Sequence, residues 1–404
     1  MYDIAIIGLG PAGSTLARML DKKFKIIAID KKTEDENKGF QKPCGGLLSP
    51  DAQKMLIQFN LTLPVNILSN PQIFGVKTID TGSNLLRNYQ RTYVNVDRHK
   101  FDLWLKSLIP ENIEIKNNSF CRNIRKTENG YLLNFVENGK ESTISAKYII
   151  GADGANSIVR NTVYGKNKIP QYTSIQQWFR DINPNPFYSC IFDRDILKTC
   201  AWSISKDGYF IFGGAFGLEK SRENFEKLKE KLKKYGSNFG DVIKTEACLV
   251  LAPKKFSNFC CGKDNSFLIG EAAGFISPSS YEGISYAFDS AYILSKVLNS
   301  EISSPNQKYK SKTLKIRLKI FTKIIKGEIP CYKIAEDDDF LAFLDVNPNA
   351  KGHTLCIPKQ EINKIFDMEE EHYLGLMKFS RRVAKAVEKS VECKRIGVAV
   401  VGLE

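Results

Sequence analysis

The fold of the amino-terminal part is best predicted from one segment, Asp3-Ile4-Ala5-Ile6-Ile7-Gly8-Leu9-Gly10-Pro11-Ala12-Gly13. It begins with a short, mostly apolar segment typical of a buried strand, and residues 14–20 continue it as a helix. Glycines at this spacing allow a tight turn, a close approach of the backbone to a pyrophosphate, and close packing of helix on strand. A second apolar segment, residues 25–29, ends in Asp30, whose carboxylate can accept hydrogen bonds from a ribose. The pattern predicts a Rossmann-like dinucleotide-binding domain, and the glycines alone do not separate NAD from FAD.

Composition predicts a multidomain, soluble enzyme. The chain has 404 residues, more than one typical domain, and its 43% hydrophobic content excludes a disordered chain. No apolar run approaches the roughly 20 residues of a membrane-spanning helix, and no basic leader precedes the glycine motif, so we expect a cytoplasmic location. The ten cysteines show no CxxC spacing, which argues against a zinc site or a disulfide scaffold, and we expect no metal. The formal charge of +14 favours an anionic partner, which could be a phosphorylated substrate, a membrane surface or nucleic acid.

Three further segments resemble the geranylgeranyl reductase family of FAD-dependent oxidoreductases, which has the hydroxybenzoate hydroxylase fold. They are Lys42-Pro43-Cys44-Gly45-Gly46-Leu47-Leu48, residues 96–102 and residues 148–157. The resemblance implies that the first segment lies over the isoalloxazine ring of the flavin. It also implies that Arg98 reaches the flavin nucleotide, and that Asp153 and Gly154 lie near the cofactor phosphates.

Two later segments extend the resemblance to about residue 319. Residues 267–274 are similar to the family's second flavin-binding turn, although Glu271 stands where the family usually has aspartate. Residues 278–284 resemble a loop whose amides, with the dipole of the next helix, stabilise negative charge at the flavin. The cofactor-binding residues implied together are Gly8, Gly10, Pro11, Ala12, Gly13, Asp30, Lys31, Cys44, Gly45, Arg98, Asp153, Gly154, Gly270, Glu271, Gly283 and Ile284.

The predicted fold class is α/β, with a discontinuous FAD-binding domain of residues 1–168 and 252–300. Short alternating strands predict an antiparallel substrate domain in residues 169–251, and a basic connecting helix follows in residues 301–319. Gly213 and Gly214 follow an apolar run, but the charged helix after them argues against a second nucleotide turn.

The resemblance implies a reductase that passes a hydride from reduced FAD to an isoprenoid or lipid-like double bond, with NAD(P)H or another reductant as electron donor. Close relatives add oxygen to aromatic rings, so an aromatic monooxygenase stays open. Cys44 at the flavin face and Tyr281 as proton donor are the candidate catalytic residues, and a packing role stays open for both. Trp202 is expected in the core or the cavity wall.

The basic stretch at residues 308–326 allows two interpretations. Its lysines alternate with apolar residues, as in a helix that lies on anionic lipid, and equally as in a solvated helix that covers a domain edge. No nucleic-acid-binding module surrounds it, so we expect no nucleic-acid partner.

Residues 320–404 resemble a histidine triad family protein truncated before its H-x-H-x-H motif. The resemblance implies that Phe321, Leu344 and Asp345 line a nucleoside pocket and that His353 is structural. The sequence has only three histidines, none at that spacing, so we expect no hydrolysis through a histidine intermediate. A strand predicted at residues 397–404 would leave an unpaired sheet edge, which lowers stability and favours self-association. A non-catalytic nucleotide-binding module is therefore a third functional hypothesis.

Overall fold

A computed structural model describes residues 1–33, 35, 41–166, 168–197, 199–253, 256–277, 280–300, 302–314, 316, 332–344, 350–360, 362 and 365–399. The chain forms two compact units, residues 1–316 and 317–404. This division lies close to the change of family resemblance predicted at residues 319 and 320.

The first unit contains most of the secondary structure. In chain order its elements are β1 (Tyr2–Ile7), α1 (Pro11–Met19), β2 (Ile26–Ile29), β3 (Leu47–Leu48), α2 (Pro50–Gln58), β4 (Ile73–Asp80), β5 (Leu85–Asn95), α3 (Arg98–Ser107), β6 (Glu114–Lys116), β7 (Ser119–Thr127), β8 (Gly130–Glu137), β9 (Lys140–Gly151), α4 (Ile158–Tyr164), β10 (Gln171–Arg180), β11 (Phe187–Phe192), β12 (Ala201–Lys206), β13 (Tyr209–Phe216), α5 (Ser221–Lys233), β14 (Val242–Leu251), β15 (Ser266–Leu268), α6 (Ile284–Leu298) and α7 (Pro305–Lys312). The second unit contains β16 (Lys333–Glu336), β17 (Phe340–Leu344), β18 (Thr354–Pro358) and α8 (Glu370–Ser390).

The first sheet has the order β6-β2-β1-β9-β8-β7, and β15 also pairs with β9. Its central strands β1, β2 and β9 are parallel, and β2 is buried along its whole length. Such apolar strands belong to a parallel sheet that is covered on both faces. β9 is long enough to pair with β8 near its start and with β15 near its end. The predicted Rossmann-like α/β fold is confirmed.

The second sheet has the order β14-β10-β13-β12-β11-β4-β5-β3. Residues 169–251 supply β10 to β14, as predicted for the substrate domain, but β3, β4 and β5 come from residues 47–95. The predicted boundary placed residues 47–95 in the FAD-binding domain. This was wrong for β3, β4 and β5, which belong to the second sheet. β4 joins the sheet through a parallel pairing with β11, and such a long-range contact leaves no local pattern in the sequence. α5 covers one face of this sheet with Phe225, Leu228 and Leu232.

The basic segment after α6 is only partly described. α7 carries Lys308, Lys310 and Lys312 on its exposed side, while Tyr309 is buried and donates a hydrogen bond of 2.9 Å to the Leu268 carbonyl. The described part therefore packs on β15 as a helix at the edge of the first sheet. Lys323 and Lys326 lie outside the described residues. No described helix is long and apolar enough to cross a membrane.

In the second unit, β16, β17 and β18 form an antiparallel sheet against which α8 packs Leu376, Phe379 and Val383. Leu344 ends β17, whereas Phe321 and Asp345 of the implied nucleoside pocket lie outside the described residues. The strand predicted at residues 397–404 is wrong for residues 397–399, which are not in a strand, and the remaining positions lie outside the described residues. Val398 is 69% exposed, so burial of its β-forming side chain does not stabilise a strand there.

The glycine turn provides a test of this fold. A Cβ at position 13 would lie 1.9 Å from the Gly8 carbonyl oxygen, whereas one at position 10 would meet nothing within 4 Å. We expect Gly13→Ala to destabilise the chain by roughly 2–4 kcal/mol because backbone must move, and Gly10→Ala to change stability little. Thermal unfolding of both variants measures the difference, and equal melting temperatures would contradict this packing.

Candidate functional site

The glycine turn between β1 and α1 leaves an open position at the start of the helix. Gly8 has a φ of +94°, and a Cβ there would lie 2.7 Å from the Ala152 carbonyl oxygen. Gly8 and Gly13 are therefore required for packing inside the chain. Gly10 is different, because the space beside it is open and no side chain caps the amino terminus of α1, which begins at Pro11. An anion in this space can reach the first backbone amides of the helix.

Asp30 follows β2 and lies directly beside this turn. Its carboxylate is 3% exposed, and its two oxygens accept hydrogen bonds from the Leu9 amide at 3.3 Å and the Lys106 ammonium at 3.1 Å. Each carboxylate oxygen has a second lone pair that can accept from a ribose hydroxyl. Lys31, the next residue, is exposed. Lys106 is a residue of this site that sequence reasoning missed.

The segments at Asp153 and Gly270 also meet the turn. The Asp153 carboxylate accepts a hydrogen bond of 2.7 Å from the Ile158 amide at the start of α4, and burial raises the pKa of this carboxyl. The backbone of Asp153 approaches Gly8. A Cβ on Gly8 would lie 3.0 Å from the Asp153 Cα. A Cβ on Gly270 would lie 3.0 Å from the Ala12 Cβ. The three glycine-containing segments, at Gly8 to Gly13, at Gly151 to Gly154 and at Gly270, thus converge on one place.

Glu271 forms an ion pair with Lys42 and lies next to Gly154. Its Oε1 accepts a hydrogen bond of 3.2 Å from the Leu251 amide, and its Oε2 pairs with the Lys42 ammonium. A Cβ on Gly154 would lie 3.9 Å from that Oε2. Burial alone would lower the pKa of Lys42, but the charge and hydrogen bond of Glu271 together with Cys248 outweigh it and the pKa is raised, so Lys42 stays cationic. Lys42 was not among the predicted cofactor-binding residues, although it begins the motif that carries the resemblance.

A second buried charge cluster fixes Arg98. Its Nε donates to the Asp102 carboxylate at 2.9 Å, and the other Asp102 oxygen pairs with Lys32. Burial would raise the pKa of Asp102, but Arg98 and Lys32 together hold it at about 2. Arg98 also lies within hydrogen-bonding reach of Cys44, which places the cation at the loop implied to cover the flavin. The i,i+4 spacing of Arg98 and Asp102 on α3 was the available sequence signal for this pair.

The loop of residues 44–46 lies against one face of β12. A Cβ on Gly45 would stand 3.5 Å from Ile204 Cδ1 and 3.7 Å from Trp202 Nε1. The Trp202 indole in turn covers Gly213, where a Cβ would lie 2.6 Å from the ring. Gly213 is therefore a packing glycine under an indole and not part of a nucleotide turn, as its sequence context indicated.

Tyr281 and the Cys44 loop contact different parts of the segment that contains β12. The Tyr281 hydroxyl accepts a hydrogen bond of 2.7 Å from Thr199, just before the strand, whereas the Cys44 loop contacts its middle at Trp202 and Ile204. Thr199 precedes Trp202 by three residues and Ile204 by five, which corresponds to roughly 10–17 Å along an extended chain. The two predicted catalytic residues thus flank the same strand without direct contact. Burial raises the pKa of Tyr281, so the phenol keeps its proton at neutral pH.

The amino terminus of α6 has an acidic partner that the sequence did not predict. Glu282 accepts hydrogen bonds from the Ser285 amide at 2.8 Å and from the Ser285 hydroxyl at 2.6 Å. This carboxylate compensates part of the helix dipole next to Gly283 and Ile284.

The donors and acceptors assembled here suit FAD. The open cradle at Gly10 and the α1 amides can hold a pyrophosphate, Asp30 can bind the adenosine ribose, and Lys42 and Arg98 supply positive charge between the turn and the Cys44 loop. In the described part of the chain, no group of His, Cys, Asp and Glu side chains could hold a metal ion.

Comparison with known proteins supports an FAD-binding chain. The family model of the FAD binding domain matches residues 120–311, and that of the HIT domain matches residues 326–403. The class of protein is thereby a FAD-dependent oxidoreductase followed by a histidine triad-like part. The chain is 54% identical over 326 residues to Protein CbrA of Escherichia coli K12, a match that covers 81% of this chain and 92% of that protein. The chain belongs to the CbrA family.

Two solved structures share the fold at low sequence identity. A geranylgeranyl bacteriochlorophyll reductase-like protein from Thermoplasma acidophilum has a TM-score of 0.66 and 18% identity, covering 96% of this chain and 99% of its own. The flavin-dependent brominase Bmp2 has a TM-score of 0.61 and 16% identity, covering 80% and 86% of the two chains. These likenesses confirm the fold.

The Lys42 and Glu271 pair yields a binding prediction. We expect Glu271→Ala to weaken FAD binding by about 10- to 100-fold, because Lys42 and the Leu251 amide lose their shared acceptor and the site loses its geometry. Titration of the apoprotein with FAD measures this. Glu226→Ala, at a carboxylate that is 51% exposed on α5, is the control and should bind as the wild type does. Equal affinity of the two variants would contradict the assignment of Glu271.

The low pKa of Asp102 predicts how stability depends on pH. This carboxyl has a pKa of about 2 in the folded chain, below its ordinary value of 3.8, so its stabilising effect is present above pH 4 and is lost as pH falls toward 2. Acid unfolding of Asp102→Asn should show a weaker dependence on pH in this window, and an unchanged dependence would contradict the prediction.

Proposed function

We propose that the chain is a reductase of the geranylgeranyl reductase type, which saturates a carbon–carbon double bond of an isoprenoid or lipid-like substrate. Bound FAD, once reduced, supplies the hydride equivalent for such a reaction. NAD(P)H or another reductant is proposed as electron donor. The proposal has one main support, the apolar character of the sheet face opposite the Cys44 loop.

That face is built from alternate residues of β11 and β12. Trp202 and Ile204 lie against Gly45, and Cys190 pairs directly with Trp202, so it shares their face. Tyr188, two residues before Cys190, has its ring centroid 5.5 Å from that of Tyr93. A wall of aromatic and aliphatic side chains favours an apolar substrate.

The hydroxyl of Tyr281 suits the role of proton donor. Its oxygen lies 2.7 Å from the Thr199 hydroxyl, and with Thr199 as the donor of this bond the phenol can donate its own proton toward a ligand. The raised pKa makes the phenol a weak acid, so proton donation has to accompany hydride transfer rather than precede it. A substrate extended along β12 would contact both the Cys44 loop and Tyr281.

The chemistry is assigned to the flavin unit. The 404 residues contain three histidines, His99, His353 and His372, and His99 lies on α3 of the first unit. The three histidines do not have the H-x-H-x-H spacing that a histidine triad hydrolase needs. The proposal therefore includes no hydrolytic step by the histidine triad-like unit. Retained nucleotide affinity in that unit is a separate proposal, supported by its family match at residues 326–403.

An anaerobic turnover experiment tests the proposed function. FAD-loaded protein, reduced chemically without oxygen, is mixed with a geranylgeranyl lipid, and mass spectrometry follows the gain of two hydrogen atoms per double bond. We expect Tyr281→Phe to slow this step about 10- to 100-fold without loss of FAD. Tyr235→Phe, which removes an exposed hydroxyl bonded to Asn84, is the matched control. Hydroxylation of an aromatic compound with oxygen, and no saturation of the lipid, would overturn the proposal.

A further inference from the structure

Lys206, the last residue of β12, is a buried lysine that forms no ion pair with the described residues. It is 5% exposed, and its ammonium donates a hydrogen bond to the Val96 carbonyl. The buried lysines Lys32 and Lys106 each contact a carboxylate, but Lys206 does not. Burial of a lysine without a carboxylate partner costs free energy. A group kept in such a position is a candidate for a functional role.

Lys206 lies directly under the loop of residues 44–46. A Cβ on Gly46 would stand 2.7 Å from the Lys206 Nζ and 2.3 Å from the Val96 carbonyl oxygen, so only glycine fits between them. The Gly46 carbonyl in turn accepts a hydrogen bond of 2.9 Å from the Val96 amide. Val96 and Lys206 together hold the loop from the side of the second sheet.

The charges around Lys206 are few and already engaged. The groups that face it are the Cys44 thiol in the loop, Asp97 at the start of α3 and Asp207 next in the chain. Asp97 accepts hydrogen bonds from two amides of α3, and Asp207 accepts one of 2.7 Å from the Asn70 amide. Burial lowers the pKa of Lys206 to about 8, and these three groups only partly oppose the effect. The residue therefore changes charge within an experimentally accessible range of pH.

We propose that Lys206 is a positioning residue that holds the Cys44–Gly46 loop against the bound flavin and places one titratable positive charge beside it. The proposal rests on the proposed flavin-dependent function and on the position over the isoalloxazine ring that the family resemblance implies for this loop. Reduced flavin carries more negative charge than oxidised flavin, so a nearby cation favours the reduced form. When Lys206 loses its proton above pH 8, this preference should decrease.

Two measurements on Lys206→Met test the two parts of the proposal. Hydrogen exchange of residues 44–48 in the FAD-free protein reports on the loop, and we expect it to accelerate on the order of tenfold. The reduction potential of bound FAD between pH 6 and 10 reports on the charge. In the wild type the relative affinity for reduced FAD should fall on the order of tenfold as pH rises through 8, and this step should be missing in Lys206→Met.

Lys206→Arg and Lys244→Met are the comparison variants. Lys206→Arg keeps the positive charge, so at pH 7 it should show the preference for reduced FAD that Lys206→Met lacks. A merely structural role of Lys206 would not require this result. Lys244 lies on the same sheet, is 48% exposed and pairs with Glu246, so Lys244→Met should behave as the wild type does. If Lys206→Met keeps both the wild-type potential and its pH dependence, the proposal is overturned. This outcome is independent of lipid saturation, so it leaves the proposed function to its own test.

Discussion

The contact of the Gly8 backbone with the backbone of Ala152 and Asp153 is the constraint on which the rest of the site depends. It brings β1, α1 and the end of β9 together at distances that exclude side chains at positions 8 and 13. The same packing fixes the direction of α1 and leaves Gly10 of this turn with open space at the start of the helix. A site for a dinucleotide is thus a direct result of how closely two chain segments pack.

Buried ion pairs join the remaining segments to this turn. Asp30 meets Lys106 of α3, Asp102 of the same helix meets Lys32, and Glu271 meets Lys42. Each pair links residues that are distant in the sequence, and removal of one partner would leave a charge in an apolar environment, which is costly. The pairs therefore specify one relative position of the segments at the site. Lys206 differs because hydrogen bonds and packing hold it without a carboxylate, so its charge remains free to respond to pH and to a ligand.

The sequence predicted those parts of the structure that have a local signal. The glycine spacing, the strand before it and Asp30 after β2 fixed the Rossmann-like fold, and the order of the motifs indicated which segments would converge. Long-range pairings could not be predicted: β4 joins β11, so residues 47–95 belong to the second sheet. The same holds for Lys206, whose role depends on the contact of β12 with the Cys44 loop. At residues 397–399 the sequence predicted a strand that the structure does not have. An apolar segment with a β-branched residue favours a strand, but it forms one only where a partner strand pairs with it.

The central claim is that one FAD molecule binds between the glycine turn and the Cys44 loop. The most direct measurement is a titration of the flavin-free, folded chain with FAD, followed by flavin fluorescence and by circular dichroism in the flavin absorption bands. We expect saturation at one FAD per chain and an induced flavin signal that Gly10→Ala removes while the chain stays folded. A folded wild-type chain that takes up no FAD, or a Gly10→Ala variant that binds it unchanged, would contradict the account.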